Sequence, residues 1–247
     1  MAAPQAGPRR AWAAPGVGAF VSSVSDGSMG LSRADLPDQV RRDRRRWLGS
    51  LGLDPGAVIV AGAVHGSAMA RITSAPGQPP GSDPLLVQQV DGLLTDLPEV
   101  VLMMVFADCL PICLFDSRRR ALALVHAGWR GSLKRIAALA VGRMASEFGS
   151  RPQDLLAYLG PSICADCYGV GADVAGQFEA EFGTRHLVRR SPPGWSLDLP
   201  GLNRWLLETS GVRQITEARS CTYQDTGLYS HRRLADGKRF AVVARLC

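Results

Sequence analysis

Three closely spaced apolar runs, at residues 100–106, 112–115 and 121–125, constrain this chain most. Each is short and bounded by polar or turn residues, as buried strands are. The first runs into Ala107-Asp108-Cys109-Leu110-Pro111 and the last into His126-Ala127-Gly128-Trp129-Arg130-Gly131. Between the second and third, Asp116-Ser117-Arg118-Arg119-Arg120 reads as a turn. A thiol and an imidazole therefore emerge from neighbouring strands of one sheet. Cysteine beside histidine is either a nucleophile–base pair or two thirds of a metal site. Both readings point to an enzyme.

The rest of the chain alternates strand and helix patterns. Further strands are predicted at 18–24, 58–63, 155–159, 195–199, 215–221 and 240–246, with 88–95 leading into the central runs. Helical spacing predicts helices at 36–51, 131–148, 172–182 and 202–209. Ala235-Asp236-Gly237 reads as a hairpin-like turn. This mixture predicts an α/β fold with a mixed sheet layered with helices rather than a pure parallel order. Residues 18–247 read as one domain, without internal repeat or linker. The Ala-, Pro- and Gly-rich residues 1–17 read as a disordered lead-in. The Pro/Gly/Ser-rich segment 73–84 carries little regular structure and is a candidate lid.

Hydrophobic residues make up 46% and charged residues 20% of the 247, a balance that supports a globular core. No apolar run is long enough for a transmembrane helix. The net charge of +6 is carried by arginine, since only Lys134 and Lys238 are lysines. It permits anionic partners, but no nucleic-acid motif accompanies it. The run Arg41-Arg42-Asp43-Arg44-Arg45-Arg46 falls on the first helix and reads as a solvated face opposite a stripe of Val40, Trp47, Leu48 and Leu51. Without a recognisable secretory leader, the six cysteines read as reduced thiols of a cytoplasmic monomer. Cys113 reads as a core residue. Cys164 and Cys167 form a lone CxxC, a weak sign of metal or redox chemistry, and read as a loop thiol pair near the site.

The chain has four histidines, His65, His126, His186 and His231. Four scattered imidazoles cannot supply a blue-copper centre plus a trinuclear cluster, but they can supply one mononuclear site. His65, Cys109 and His126 each lie where an apolar strand meets a turn. Two imidazoles and a thiolate suit zinc, with a fourth position open, and such a site lowers the pKa of bound water towards ~7. The competing readings are a core histidine with an inert buried thiol, or Cys109 as nucleophile with His126 as its base.

The motifs Ala-Asp-Cys-Leu-Pro at 107–111 and His-Ala-Gly-Trp-Arg-Gly at 126–131 resemble the signature of the YfiH/YlmD family. That family has been labelled multicopper polyphenol oxidoreductase or laccase domain, and is regarded as purine nucleoside phosphorylases with adenosine deaminase activity. The resemblance extends through Val64-His65-Gly66, Asp91-Gly92-Leu93-Leu94-Thr95, Leu159-Gly160-Pro161-Ser162-Ile163 and Cys167-Tyr168-Gly169-Val170-Gly171. Leu197-Asp198-Leu199, Cys221-Thr222-Tyr223 and Tyr229-Ser230-His231-Arg232-Arg233 extend it to nearly the whole chain. Four positions depart from the pattern. Ala63 stands for the usual glutamine, Gly169 for a glutamate and His231 for a tyrosine, while Ser28-Met29-Gly30-Leu31 lacks the family's asparagine.

The resemblance implies a mixed sheet layered with helices, related to a toxin class with a Cys–His dyad. It also implies a zinc site of His65, Cys109 and His126. The expected activity is phosphorolysis of adenosine, inosine, guanosine or methylthioadenosine, together with adenosine deamination. Cys109, His126 and Asp108 are the expected catalytic residues. Arg130, with Arg232 or Arg233 behind it, is the expected donor to phosphate, since guanidinium forks match phosphate oxygens. Three alternatives stand beside this reading: a metal-free Cys–His thiol hydrolase or amidase, a copper(II)-dependent polyphenol oxidase, and a binding protein that has lost catalysis.

Overall fold

The structure, a computed structural model, describes residues 9–30, 37–183, 188–191 and 194–247. His186, Leu31 and the first eight residues of the expected lead-in lie outside them. In chain order, the N-terminal half holds β1 (Arg9–Ala14), β2 (Val17–Val21), α1 (Pro37–Ser50), β3 (Val58–Gly62), β4 (Met69–Ile72), β5 (Leu85–Gln88) and β6 (Gly92–Thr95). The centre holds β7 (Val101–Phe106), β8 (Leu110–Asp116), β9 (Ala121–Ala127), α2 (Trp129–Leu133), α3 (Ile136–Phe148) and β10 (Leu155–Leu159). The remainder holds β11 (Gly169–Val170), α4 (Ala172–Phe182), β12 (Val188–Ser191), β13 (Gly194–Leu197), α5 (Leu199–Thr209), β14 (Gln214–Glu217), α6 (His231–Leu234) and β15 (Phe240–Leu246).

The central strands are apolar on both faces, and this decides the architecture. In β7, Leu102, Met104 and Phe106 pack to one side, while Val101 and Met103 pack to the other. In β8, Cys113 and Phe115 share the first side, and Leu110, Ile112 and Leu114 the opposite one. A strand projects successive side chains to opposite faces, so each sheet needs cover on both. Two mixed six-stranded sheets result, in the orders β1-β2-β15-β7-β3-β5 and β14-β10-β8-β9-β6-β4. They pack face to face around Phe106, Phe115, Leu122, Leu124, Tyr158 and Phe240. Trp47 and Leu48 of α1 cover the first sheet, and α3, α4 and α5 cover the second. The expected mixed sheet is thus two large sheets between layers of helix, with β11-β13-β12 as a small third one.

Several boundaries differ from expectation for local reasons. Arg9–Ala14, expected within the lead-in, pairs antiparallel with Val17–Val21. Pro15 and Gly16, the latter at φ +94°, make the turn, and Trp12 stacks on Tyr158 at 5.7 Å. The helix expected at 131–148 is broken between α2 and α3, where Arg135 adopts φ +59°. Met69–Ile72, a strand too short and mixed to read from sequence, pairs in parallel with β6. The hairpin expected around Asp236 is instead preceded by the short helix α6. Residues 73–84 form no regular element, as expected. Val40, Trp47 and Leu48 are buried as expected, but the arginine face is only partly solvated. Arg44 is 8% exposed, and its guanidinium donates to the carbonyl of Met29. Among the described residues, no helix is long and apolar enough to cross a membrane.

Candidate metal centre and its pocket

The crossing from one sheet to the other builds the site. β7 belongs to the first sheet and β8 to the second, and Ala107-Asp108-Cys109 is the link between them. The run before Cys109 therefore lies in a different sheet from the strand that carries His126. Cys109 and His126 are still neighbours, because Leu110 and Pro111 at the start of β8 pair with Ala127 and His126 of β9. His65 arrives from just beyond β3, across the sandwich. The three offer ligand atoms that all lie within 4.8 Å of one another, so they could hold a metal ion. The imidazoles of His65 and His126 meet edge to face, with centroids 5.0 Å apart.

Asp91, between β5 and β6, organises this cluster. It is fully buried, and its carboxylate accepts four hydrogen bonds. Oδ1 accepts from the backbone N–H of His65 at 2.9 Å and faces His126 Nδ1 at 2.9 Å. Oδ2 accepts from the backbone N–H groups of Gly66 at 2.7 Å and Val64 at 3.2 Å. One carboxylate therefore holds the His65 turn, where His65 itself adopts φ +60°, and the His126 ring. A carboxylate on Nδ1 leaves Nε2 of His126 as the ligand atom, the usual outer support of a metal-bound histidine. Burial works against the charged carboxylate, but the bonds from His126 and Gly66 hold its pKa below the usual value.

Gly128 supplies the space. A Cβ there would lie 3.0 Å from Cys109 Sγ, 3.2 Å from His65 Cδ2 and 3.8 Å from His126 Cε1. Its φ of −80° is open to any residue, so glycine is required by the cluster and not by the backbone. The electrostatics match. Burial alone would push the Cys109 thiol up, but facing His126 and His65 pulls it down to about 6. Burial alone would lower His126, but Cys109 and Asp91 raise it to about 9. Cys113, buried with no such neighbours, is pushed up to about 12, as its core position predicts.

Asp108 sits beside the cluster at φ +86°, a backbone state that costs a non-glycine residue about 1–3 kcal/mol. Three bonds hold it there. Oδ1 accepts from Thr222 Oγ1 at 2.7 Å, Oδ2 accepts from the Arg232 backbone N–H at 2.7 Å, and its carbonyl accepts from Ile163 N–H at 3.0 Å. The cluster opens into a pocket of about 760 Å³, within the range of small-molecule sites. Asp108, Arg130, Tyr168, His231 and Arg232 line it. The Arg130 guanidinium lies 4.3 Å from the Trp129 ring centroid, and Arg232 donates through Nη1 to the Gly169 carbonyl at 2.7 Å. Arg233 is placed differently. Its guanidinium donates to the carbonyls of Thr222, Tyr223, Asp225 and Leu228, tying a turn together outside the pocket lining.

Sequence reasoning missed Asp91 as a positioning residue, Gly128 as a spacer, and Arg41, Arg44 and Arg239 as pocket walls. Asp91 and Gly128 lie inside the quoted motifs. The three arginines carry no local signal: the fold alone brings them to the pocket edge, Arg44 buried and Arg41 still exposed beside Asp38 and Asp83.

The chain is thus a two-sheet α/β sandwich whose His–Cys–His cluster, supported by a buried carboxylate, lines a basic pocket. The family model described as multi-copper polyphenol oxidoreductase laccase matches residues 17–246, and the chain is a member of that family. A protein named purine nucleoside phosphorylase from Deinococcus radiodurans is 35% identical over 85% of this chain and 79% of its own length. Adenosine deaminase RL5, from an unknown prokaryotic organism, is 37% identical over 64% of this chain and 63% of its own. The crystal structure of YlmD from Geobacillus stearothermophilus matches with a TM-score of 0.89 and 28% identity, over 99% of this chain and 98% of that one.

Proposed function

We propose that this chain is a purine nucleoside phosphorylase with adenosine deaminase activity, working at a zinc ion held by His65, Cys109 and His126. The observation that carries the proposal is the convergence of two imidazoles and a thiol, within 4.8 Å, at the floor of a pocket of nucleoside size. The names of the relatives supply the substrate class. The donor set fits zinc: borderline-soft ligands, a proton held off Nε2 by Asp91, and a space kept clear by Gly128. Zinc there would supply a Lewis acid beside the substrate.

The chain's own groups account for the rest. Phosphorolysis joins a phosphate oxygen to the ribose C1′ while the C1′–N9 bond breaks, and the departing purine takes a proton. Arg130 and Arg232 line the pocket as fork-shaped donors and are assigned to the phosphate. Arg233 is left out of that role because its donors are already engaged. Burial pushes the Tyr168 phenol well above its ordinary value, so it remains a neutral O–H donor facing the pocket. Deamination needs a carboxylate that carries a proton between water and the leaving ammonia. Asp108, in the pocket wall next to Cys109, is assigned to it through the lone pairs that Thr222 and Arg232 leave free. Phosphate-dependent release of hypoxanthine from inosine, and ammonia from adenosine, is the expected result. No turnover of adenosine, inosine, guanosine or methylthioadenosine by zinc-loaded protein with phosphate would refute it.

One observation favours a second reading. A Cys109 thiol lowered to about 6 opposite a His126 raised to about 9 is a thiolate–imidazolium pair, the resting state of a thiol hydrolase. Activity that survives complete metal removal and is abolished by stoichiometric alkylation of Cys109 would establish that reading instead.

A further inference from the structure

A second cluster of potential metal ligands is made of three thiols, next in sequence to the pocket residue Tyr168. The Cys164-Ala165-Asp166-Cys167 segment closes into a 3₁₀ turn, with Cys167 N–H donating to the Cys164 carbonyl at 3.1 Å. That turn puts both thiols of the CxxC on one side. The third comes from far along the chain. Ser162 and Cys221 form an isolated parallel bridge, and Thr222 N–H donates to the Ser162 carbonyl at 3.0 Å. Cys221 Sγ then accepts from the backbone N–H of Cys164 at 3.3 Å. The sulfurs of Cys164, Cys167 and Cys221 all lie within 4.8 Å of one another. All three cysteines are free and half-buried.

We propose that Cys164, Cys167 and Cys221 form a second metal site, a three-thiolate site for a zinc ion completed by water. Zn–S bonds of about 2.3 Å in a tetrahedron place sulfurs about 3.8 Å apart, so modest rotamer changes bring these thiols to bonding distance. Thiolates select zinc or copper(I) over hard cations. Half-burial leaves the fourth position open to solvent. The site has a mechanical consequence for the pocket. Tyr168 and Thr222 directly follow Cys167 and Cys221; Tyr168 lines the pocket and Thr222 donates to Asp108. A metal here cross-links the two segments that support those residues. The site is independent of the His65–Cys109–His126 cluster, with which it shares no residue.

The test uses the full chain, purified in reductant, stripped of metal and titrated with zinc against a chromophoric chelator. Wild type is expected to bind about two zinc ions, and Cys164→Ser/Cys167→Ser and His65→Ala/His126→Ala about one each. If the first site fails and this one stands, wild type binds about one ion, which the double-serine variant loses. Zinc is also expected to shield Cys164, Cys167 and Cys221 of the unmutated chain from iodoacetamide, read peptide by peptide, which needs no variant to fold. Cobalt substitution should give stronger thiolate charge-transfer absorption in His65→Ala/His126→Ala than in the double-serine variant. Unchanged zinc stoichiometry in Cys164→Ser/Cys167→Ser, alkylation of the three thiols unaffected by zinc, or recovery of two of them as a disulfide from reduced preparations would overturn the site.

Discussion

Replacing Asp91 by asparagine removes one charge and one acceptor from the outer support of the proposed metal site. The carboxylate now accepts two bonds on each oxygen: His65 N–H and His126 Nδ1 on Oδ1, Gly66 and Val64 N–H on Oδ2. An amide keeps one acceptor. Its NH2 group then faces either the Gly66 and Val64 N–H groups or the His65 N–H and His126 Nδ1, so two charge-assisted bonds are lost at a fully buried position. At about 1.5–3 kcal/mol for each bond to a charged group, the folded state loses about 3–6 kcal/mol. That agrees with the about 3–5 kcal/mol found when one partner of a buried ion pair is removed, and is a large part of a domain's stability. When the NH2 group faces His126, the ring is driven to the tautomer protonated on Nε2, which blocks its ligand atom. Zinc affinity should then fall about 10–100-fold, the range for lost outer support of a metal-bound histidine. Denaturant unfolding of the metal-free chain reads the first effect and chelator competition the second. Nitrogen NMR of the His126 ring separates the tautomer effect from general loosening. An Asp91→Asn chain with wild-type unfolding midpoint, zinc affinity and His126 tautomer would refute the reasoning.

Further outcomes follow from the same geometry. Gly128→Ala should lose zinc at least about tenfold with the fold intact, since its Cβ meets Cys109 Sγ at 3.0 Å while its backbone is unstrained; circular dichroism and metal analysis check this together. In metal-free protein, Cys109 should be alkylated with a pH midpoint near 6, reactive above it and protected below it, because the lowered pKa favours thiolate down to that value. Zinc should suppress that reaction, whereas a thiol hydrolase would retain both reactivity and activity. Cys113→Ser should leave zinc bound and destabilise the chain by about 1–3 kcal/mol, since a hydroxyl replaces a fully buried thiol in an apolar environment; a guanidinium unfolding curve measures it. Arg130→Ala should raise the KM for phosphate more than that for nucleoside, and a selective effect on nucleoside would remove Arg130 from the anion site.

Much of this molecule was legible from local pattern. The central strands β7, β8 and β9 stand out because their residues are buried on both faces and read as unbroken apolar runs. His65, Cys109 and His126 stood out as candidates because each falls at the end of such a run, and the family resemblance grouped them. Pairing was not legible. Two runs separated by three residues, β7 and β8, were expected in one sheet, yet they lie in opposite sheets, and only the packing of both layers around Phe106 and Phe115 decides that. Arg44 illustrates the same limit: its sequence neighbours are solvated arginines, but the carbonyl of Met29 draws it inside. Asp91 and Cys221 act on partners 25–35 and 57 positions away. Periodicity and turn chemistry act over a few residues, so the sequence by itself determines elements and the residue types able to do chemistry. Convergence depends on how the layers close over one another, so the His–Cys–His cluster, its carboxylate support and the three-thiol group were decided only by the tertiary structure.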